Sequence, residues 1–397
     1  MSDENFVCEC PENFRSACNG LEFYREVEGK KYCVLHCPVQ DKVGEFNTVF
    51  QRKLGSSEYN FRGVYFPVDM RLEEFRFDKS VDFSDATFLS TASFMSAQFS
   101  ATALFCRTKF CAPVSFSLAK FNKNSYAYFS SATFSDDANF FGAIFGAYTD
   151  FNNAKFSKYT EFSMSEFVVN ASFINAAFEE SRFRETKFFA EANFLEARFE
   201  SDTRFIGNAE CSVFLENASL NLEFAKFIKP DQCLFHTIRL RPNWFVNVDS
   251  RKFEFTNIDW VGFDEHQPTW KERATQKLSR AWKAWPAYIK HGICSEALYN
   301  ELQVLSEKEN RHRLLSSAYR QLATNAEDNK RYGEAGRFHY ASMDARRLER
   351  GRGWNIFSLE WWYWLMSGYG ERFIRATSCL FVLLFLFSWL FTRVGLS

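Results

Sequence analysis

Proline and glycine are scarce in these 397 residues, at 8 and 17. That excludes a collagen-like fibre and a low-complexity chain rich in either residue. An excess of charge of one sign is also lacking: Lys and Arg total 48 against 49 for Asp and Glu, a formal net charge of -1. The chain as a whole is therefore not a basic nucleic-acid binder, and nucleic acid is not an expected partner. No apolar run occupies the first 20 residues, so no secretory signal peptide is expected. The 6 histidines (His36, His236, His266, His291, His312 and His339) are scattered without a partner motif. There is no Walker loop, no GxGxxG after a strand, no HExxH and no GxSxG, and enzymatic activity is not expected. What the chain does have is phenylalanine, 49 residues of it, in a composition too hydrophobic for disorder.

The phenylalanines repeat. Phe83, Phe88, Phe94, Phe99, Phe105, Phe110, Phe116 and Phe121 step alternately by five and six residues. After a slip of two, the register resumes at Phe129 and runs to Phe178; after one residue drops out, it continues from Phe183 to Phe205. Two residues before nearly every Phe is a small side chain, such as Ala86, Ala92, Ala97, Ala119, Ala154 or Thr186. On an α-helix, steps of five and six rotate successive Phe by about 140° and 240°, leaving no single buried stripe. An alternating strand would need even spacings. A coil with four short sides satisfies the pattern, each side turning one Phe and one small residue inward. One turn then takes 22 residues. Phe61 to Phe227 would make roughly seven turns, about 35 Å of rod at the strand spacing. The Phe residues read as structural core, which leaves function to the outward polar residues. Those are mildly acidic, with 16 Lys/Arg against 21 Asp/Glu over 61–227.

The segments FSDATFLSTASFMSAQF and FSSATFSDDANFFGAIF resemble the pentapeptide-repeat family, in its Phe-centred branch with eleven-residue spacing. The resemblance covers the middle two-fifths of the chain. It implies a right-handed quadrilateral β-helix with interior Phe ladders, a solenoid whose ends need caps.

Of 11 cysteines, Cys8, Cys10, Cys18, Cys33 and Cys37 fall in the first 37 residues, with His36 among them. Cys33-x2-His36 is a pair able to chelate one ion, and Cys18 with either Cys8 or Cys10 would complete a tetrahedral Cys3His set for Zn2+. A reducing compartment favours metal over disulfide, and four protein ligands make the site structural. Unpaired thiols in a loose tail are the rival reading. The segment YCVLHCP is similar to the opening of proteins in the same pentapeptide branch.

After Pro230 the Phe register fades, and Pro242 to Phe255 reads as short strands and turns closing the rod. Helices are expected over 269–285, from near Ser295 towards Asn329, and over 330–351, with Leu315, Tyr319, Leu322 and Ala326 on one apolar face. The last two are similar to a helical hairpin of tetratricopeptide type. The balance turns basic here, with 17 Lys/Arg against 10 Asp/Glu over 268–354, including Arg346, Arg347, Arg350 and Arg352. Ala376 to Thr392 is uncharged and long enough, with a few neighbours, to span a membrane. Trp354, Trp361, Trp362, Tyr363, Trp364 and Tyr369 precede it as an interfacial belt. SGYGE at 367–371 is similar to a potassium-filter loop, but a filter lies between two spans and this segment precedes the one present. It reads as a membrane-entry turn.

The expected fold is a β-solenoid followed by an α-helical domain and one transmembrane helix. The boundaries are 1–58 for a Cys/His cap, 59–228 for the β-helix and 229–267 for capping strands. The helical hairpin takes 268–353, the aromatic segment 354–372 and the span 373–394. Basic residues before the span place the bulk of the chain in the cytoplasm, at a bacterial inner membrane, as a single-pass protein. The expected function is a membrane-anchored, non-enzymatic interaction scaffold whose partners are the lipid bilayer, a cytoplasmic protein and further copies of itself. The alternatives are a subunit of an oligomeric membrane channel or effector, and a DNA mimic that binds a topoisomerase.

Overall fold

The structure, a computed structural model, describes residues 6–18, 20–208, 212–262, 296–349, 359–370 and 373–395. The helix expected over 269–285 lies outside these residues, as do Arg350 and Arg352. The chain divides into two compact units, one of residues 1–239 and 253–258, the other of 240–252 and 259–397.

The first unit is a parallel β-solenoid of about nine turns behind a cysteine-rich cap. Each turn has four short strands on four faces. One turn runs Val81–Asp82, Thr87–Phe88, Ala92–Ser93 and Gln98–Phe99, and each strand pairs in parallel with its equivalent in the next turn. Inward residues are Phe and Ala with almost no exposure. Along each ladder the rings lie nearly parallel: Phe94 to Phe116 at 4.7 Å and 2°, Phe116 to Phe140 at 5.2 Å and 3°. Between ladders they meet edge to face, as Phe105 and Phe116 do at 5.2 Å and 86°. The 22-residue register imposes the parallel stack, and the crossed contact lets each ring's positive edge meet a neighbour's negative face.

The eleven-residue repeat appears in the backbone as well. Asp85, Ser96, Arg107 and Leu118 have φ near +57°, and Gly142, Asn153, Met164 and Asn175 continue the series. These residues turn the chain at the five-residue steps. Of the whole series from Glu74 to Glu196 not one is β-branched, as a left-handed corner requires. The dropped residue after Phe178 is a register shift between Phe156 and Tyr159, which face Phe178 and Glu180.

The stack runs further than the spacing predicts. Phe205 stacks on Phe235 at 5.0 Å and Phe235 on Phe255 at 5.5 Å. Insertions between these rings hide the period in the sequence. The segment in between, expected as short strands and turns closing the rod, does end in a strand on the stack, Glu254–Thr256, but its residues 240–252 belong to the helical unit. It forms a 3-10 helix at Pro242–Phe245. Ser250 donates its N–H to Gln321 Oε1 (3.1 Å), and Asn325 Nδ2 donates to the carbonyls of Ser250 (3.1 Å) and Arg251 (3.0 Å).

The α-helices of the described residues are α1 (Val43–Gly55), α2 (Glu296–Val304), α3 (Arg311–Asp328), α4 (Tyr332–Glu349), α5 (Leu359–Ser367) and α6 (Phe373–Val394). The continuous helix expected from Ser295 is broken, and Asn310, at φ +59°, starts α3 afresh. α3 and α4 form a hairpin that buries Leu315, Tyr319 and Leu322 on one side and Phe338, Ala345 and Leu348 on the other. Ser316 and Ser342 each donate a hydroxyl to the other's carbonyl at 2.9 Å. α6 is long and apolar enough to cross a membrane, and none of its apolar stretch is buried.

Candidate metal centre

The cap is built from short irregular pieces because its side chains, not a ladder, hold it together. Glu9 donates its N–H to the Lys31 carbonyl (2.8 Å), which lays Cys8 and Cys10 along the hairpin Arg25–Val27 and Lys30–Tyr32. Glu28 and Gly29, both with positive φ, make the hairpin turn. A 3-10 helix, Glu12–Cys18, delivers Cys18, and a turn closed by Cys37 N–H to the Cys33 carbonyl (3.0 Å) delivers Cys33 and His36.

The ligand atoms of Cys8, Cys10, Cys18 and His36 lie within 4.8 Å of one another, and all four residues are buried. Cys33 touches this group: its Sγ is 3.4 Å from His36 Nδ1, and its N–H donates to Cys8 Sγ at 3.3 Å. All five residues expected from the sequence are therefore together. The sequence left Cys8 and Cys10 as alternatives beside Cys18, Cys33 and His36; here both belong to the mutual set, and Cys33 lies against it but outside it. Cys37 is also buried, but outside that set.

His36 Nε2 lies 3.0 Å from the Arg62 carbonyl. A carbonyl only accepts, so Nε2 carries the proton and the Nδ1 lone pair faces the sulfurs. A second partner fixing the tautomer in this way is the usual support of a metal-ligating histidine. Phe14 stacks on the imidazole at 6.2 Å. Its ring also fills the space where Gly63, at φ +66°, would carry a Cβ, only 2.3 Å from Phe14 Cδ2. Lys42, fully buried, donates to the carbonyls of Val34 (2.7 Å) and Leu35 (3.0 Å) and lies over the rings of Phe46 and Tyr65. Burial pulls it down to about 7, a shift opposed by Cys37 and Cys33. Sequence reasoning missed Phe14, Lys42 and Arg62, because their roles depend on which backbone groups the fold brings to them.

The thiols show what the site requires. Hydrogen bonds from Cys18 and Cys33 hold Cys8 far below the usual thiol range. Burial and the Cys8 charge push Cys10 up to about 12. Contacts with Cys18 and Cys8, with burial, raise Cys33. Cys8 and Cys10 are thus pulled in opposite directions, and two thiolates side by side here would be buried like charges. A divalent cation removes that conflict, so the donor set fits a soft dication held by sulfur and imidazole. The buried Cys3His cluster can hold a metal ion.

No protein-family profile, no curated protein and no solved structure matches this chain.

Proposed function

We propose that this protein is a membrane-anchored, non-enzymatic interaction scaffold of the pentapeptide-repeat type. Its β-helical rod stands on the cytoplasmic side of a bacterial inner membrane, and a structural Zn2+ closes its first coil. The observation that carries the reading is α6. Leu380, Phe381, Val382, Phe385, Leu386 and Phe387 are each at least half exposed and point to all sides of the helix, a surface that water disfavours and a bilayer accepts. The half-exposed Trp362 and Tyr363 of α5 precede α6, as an interfacial anchor does. Non-enzymatic work is supported by the solenoid interior, which rings fill and which leaves the outward residues to make contacts.

Two measurements test this. Expressed in bacteria, the full chain is expected to stay with the membrane through alkaline carbonate washing, and release into the wash would overturn the anchor. Purified protein is expected to retain about one equivalent of zinc, and zinc absent after mild dialysis would overturn the Zn2+ assignment.

A further inference from the structure

One face of the solenoid is edged by exposed apolar residues. It consists of Arg76–Phe77, Gln98–Phe99, Lys120–Phe121, Ile144–Phe145, Glu166–Phe167 and Lys187–Phe188, stacked in that order. The first residue of each pair points outward. At the corner leading into the face, Leu118, Phe141 and Met164 are 49%, 39% and 53% exposed; at the corner leaving it, Val168 and Phe189 are 37% and 41% exposed. Ile144 lies between them, half-buried. Gly142, where a Cβ would stand 2.8 Å from Leu118 Cδ2, lets Leu118 lie flat along the corner. The apolar part amounts to roughly 400–600 Å², the range in which surface patches mark binding sites.

We infer that this face packs against the same face of a second copy of the chain, with the two rods antiparallel. Charge selects both the occupant and the direction. Lys120 and Glu166 stand one coil to either side of Ile144 in the same outward column. A two-fold axis across the rod at Ile144 sets Lys120 of each copy opposite Glu166 of the other. It also sets Leu118 opposite Met164, and Phe141 and Ile144 opposite themselves. An axis along the rod would instead oppose Lys120 to Lys120 and Glu166 to Glu166, which is destabilising. Glu166 already bonds Lys187 of its own chain at 2.8 Å, and Lys120 adds a second cation on its free side. The column Lys120, Ile144 and Glu166 is thus self-complementary in the antiparallel orientation and not in the parallel one, and this does not depend on the membrane assignment.

The full chain in mild detergent tests it. Wild type is expected to dimerise in sedimentation, and Lys120→Glu and Glu166→Lys are each expected to weaken association at least about tenfold. Mixing the two variants restores favourable pairs at both positions and is expected to restore a heterodimer, which misfolded variants would not do. Ile144→Asp is expected to abolish the dimer both alone and in the mixture. In a mixture of isotopically light and heavy wild-type chains, a carbodiimide should join Lys120 of one copy to Glu166 of the other. Within one chain these residues are two coils, about 10 Å, apart and beyond its reach. A monomeric wild type, a dimer untouched by either charge reversal, or variants that fail to complement would each overturn the proposal. The second of these would assign association to α6 or to a different protein surface.

Discussion

Phe116 is fully buried with rings above and below it and three more across the core, so it has no direction in which to relax. Phe116→Ala should cost about 3–5 kcal/mol, read as a lower midpoint in thermal unfolding, whereas Phe116→Leu should cost much less. A corner residue responds differently. Ser96 has φ +57°, so Ser96→Val should cost about 1–2 kcal/mol through backbone strain while Ser96→Gly stays near neutral. Glu301 shows a third kind of constraint. It is 2% exposed and its Oε2 accepts the N–H of Asn243 at 2.9 Å. Burial pushes it from 4.5 up to about 7, against the pull of that hydrogen bond and of Arg241. The folded state therefore holds this proton more tightly than the unfolded chain. Stability contributed by the neutral acid is complete below about 4.5 and is lost as pH rises through about 7. Urea unfolding followed by helical circular dichroism should show that loss, on the order of 3 kcal/mol, between the two values. Glu301→Gln should flatten the profile and be the more stable form at pH 8; a Gln variant that is less stable there would sink the account.

Among the elements, the solenoid and the long apolar helix α6 were legible in the sequence and the contacts around the turn at 368–370 were not. A ladder repeats its demand every coil, so Phe spacing alone locates Phe61 to Phe205, and an uncharged run alone locates α6. Neither signal survives where an element is held by single polar contacts. Arg347 reads as one of a basic membrane-flanking cluster, yet its side chain is 2% exposed and pairs with Asp344, itself 1% exposed, at 2.7 Å. Its guanidinium lies 4.8 Å over the Trp364 ring, and Tyr369 OH donates to Asp344 Oδ1 at 3.4 Å. Trp364 Nε1 donates to Tyr340 OH at 3.1 Å. Gly368, Tyr369 and Gly370 all have positive φ, a turn that places the Tyr369 ring against α4. The filter-like SGYG string is thus a docking turn for the helical hairpin. The five-donor cap was legible as a cluster for the opposite reason, since Cys and His are rare enough for proximity in sequence to carry meaning. Removing one side of the buried pair leaves a stranded charge, so Arg347→Ala should cost about 3–5 kcal/mol and Asp344→Ala a similar amount. Hydrogen exchange should rise across α5 and the turn at 368–370 in both variants and stay unchanged in the solenoid.

Across the whole molecule, stability should be distributed along the chain in two separate accounts. A solenoid coil touches only its neighbours, so what closes the first coil sets how readily the stack frays from that end. That closure is the cap. Phe46 and Phe50 of α1 cover the first rings, with Phe46 against Phe66 at 5.4 Å and Phe50 against Phe61 at 5.0 Å. The Cys/His cluster is tied to the same coil through the His36 bond to the Arg62 carbonyl. Cap and rod belong to one compact unit, while α3 and α4 belong to the other. Loss of a metal from the cluster should then loosen the cap and the coils nearest it and leave the hairpin as it was. Hydrogen exchange on the full chain, with and without a strong chelator, checks this directly. Protection is expected to fall over residues 20–90, less so towards Phe205, and not at all over 311–349. Cys8→Ala should reproduce the chelated pattern without chelator, because Cys8 belongs to the mutual ligand set. Cys37→Ala, buried but outside the mutual set, should leave metal content unchanged. Uniform loss of protection in both units, or equal metal loss in the two variants, would show that the cluster is not the fastening of the first coil.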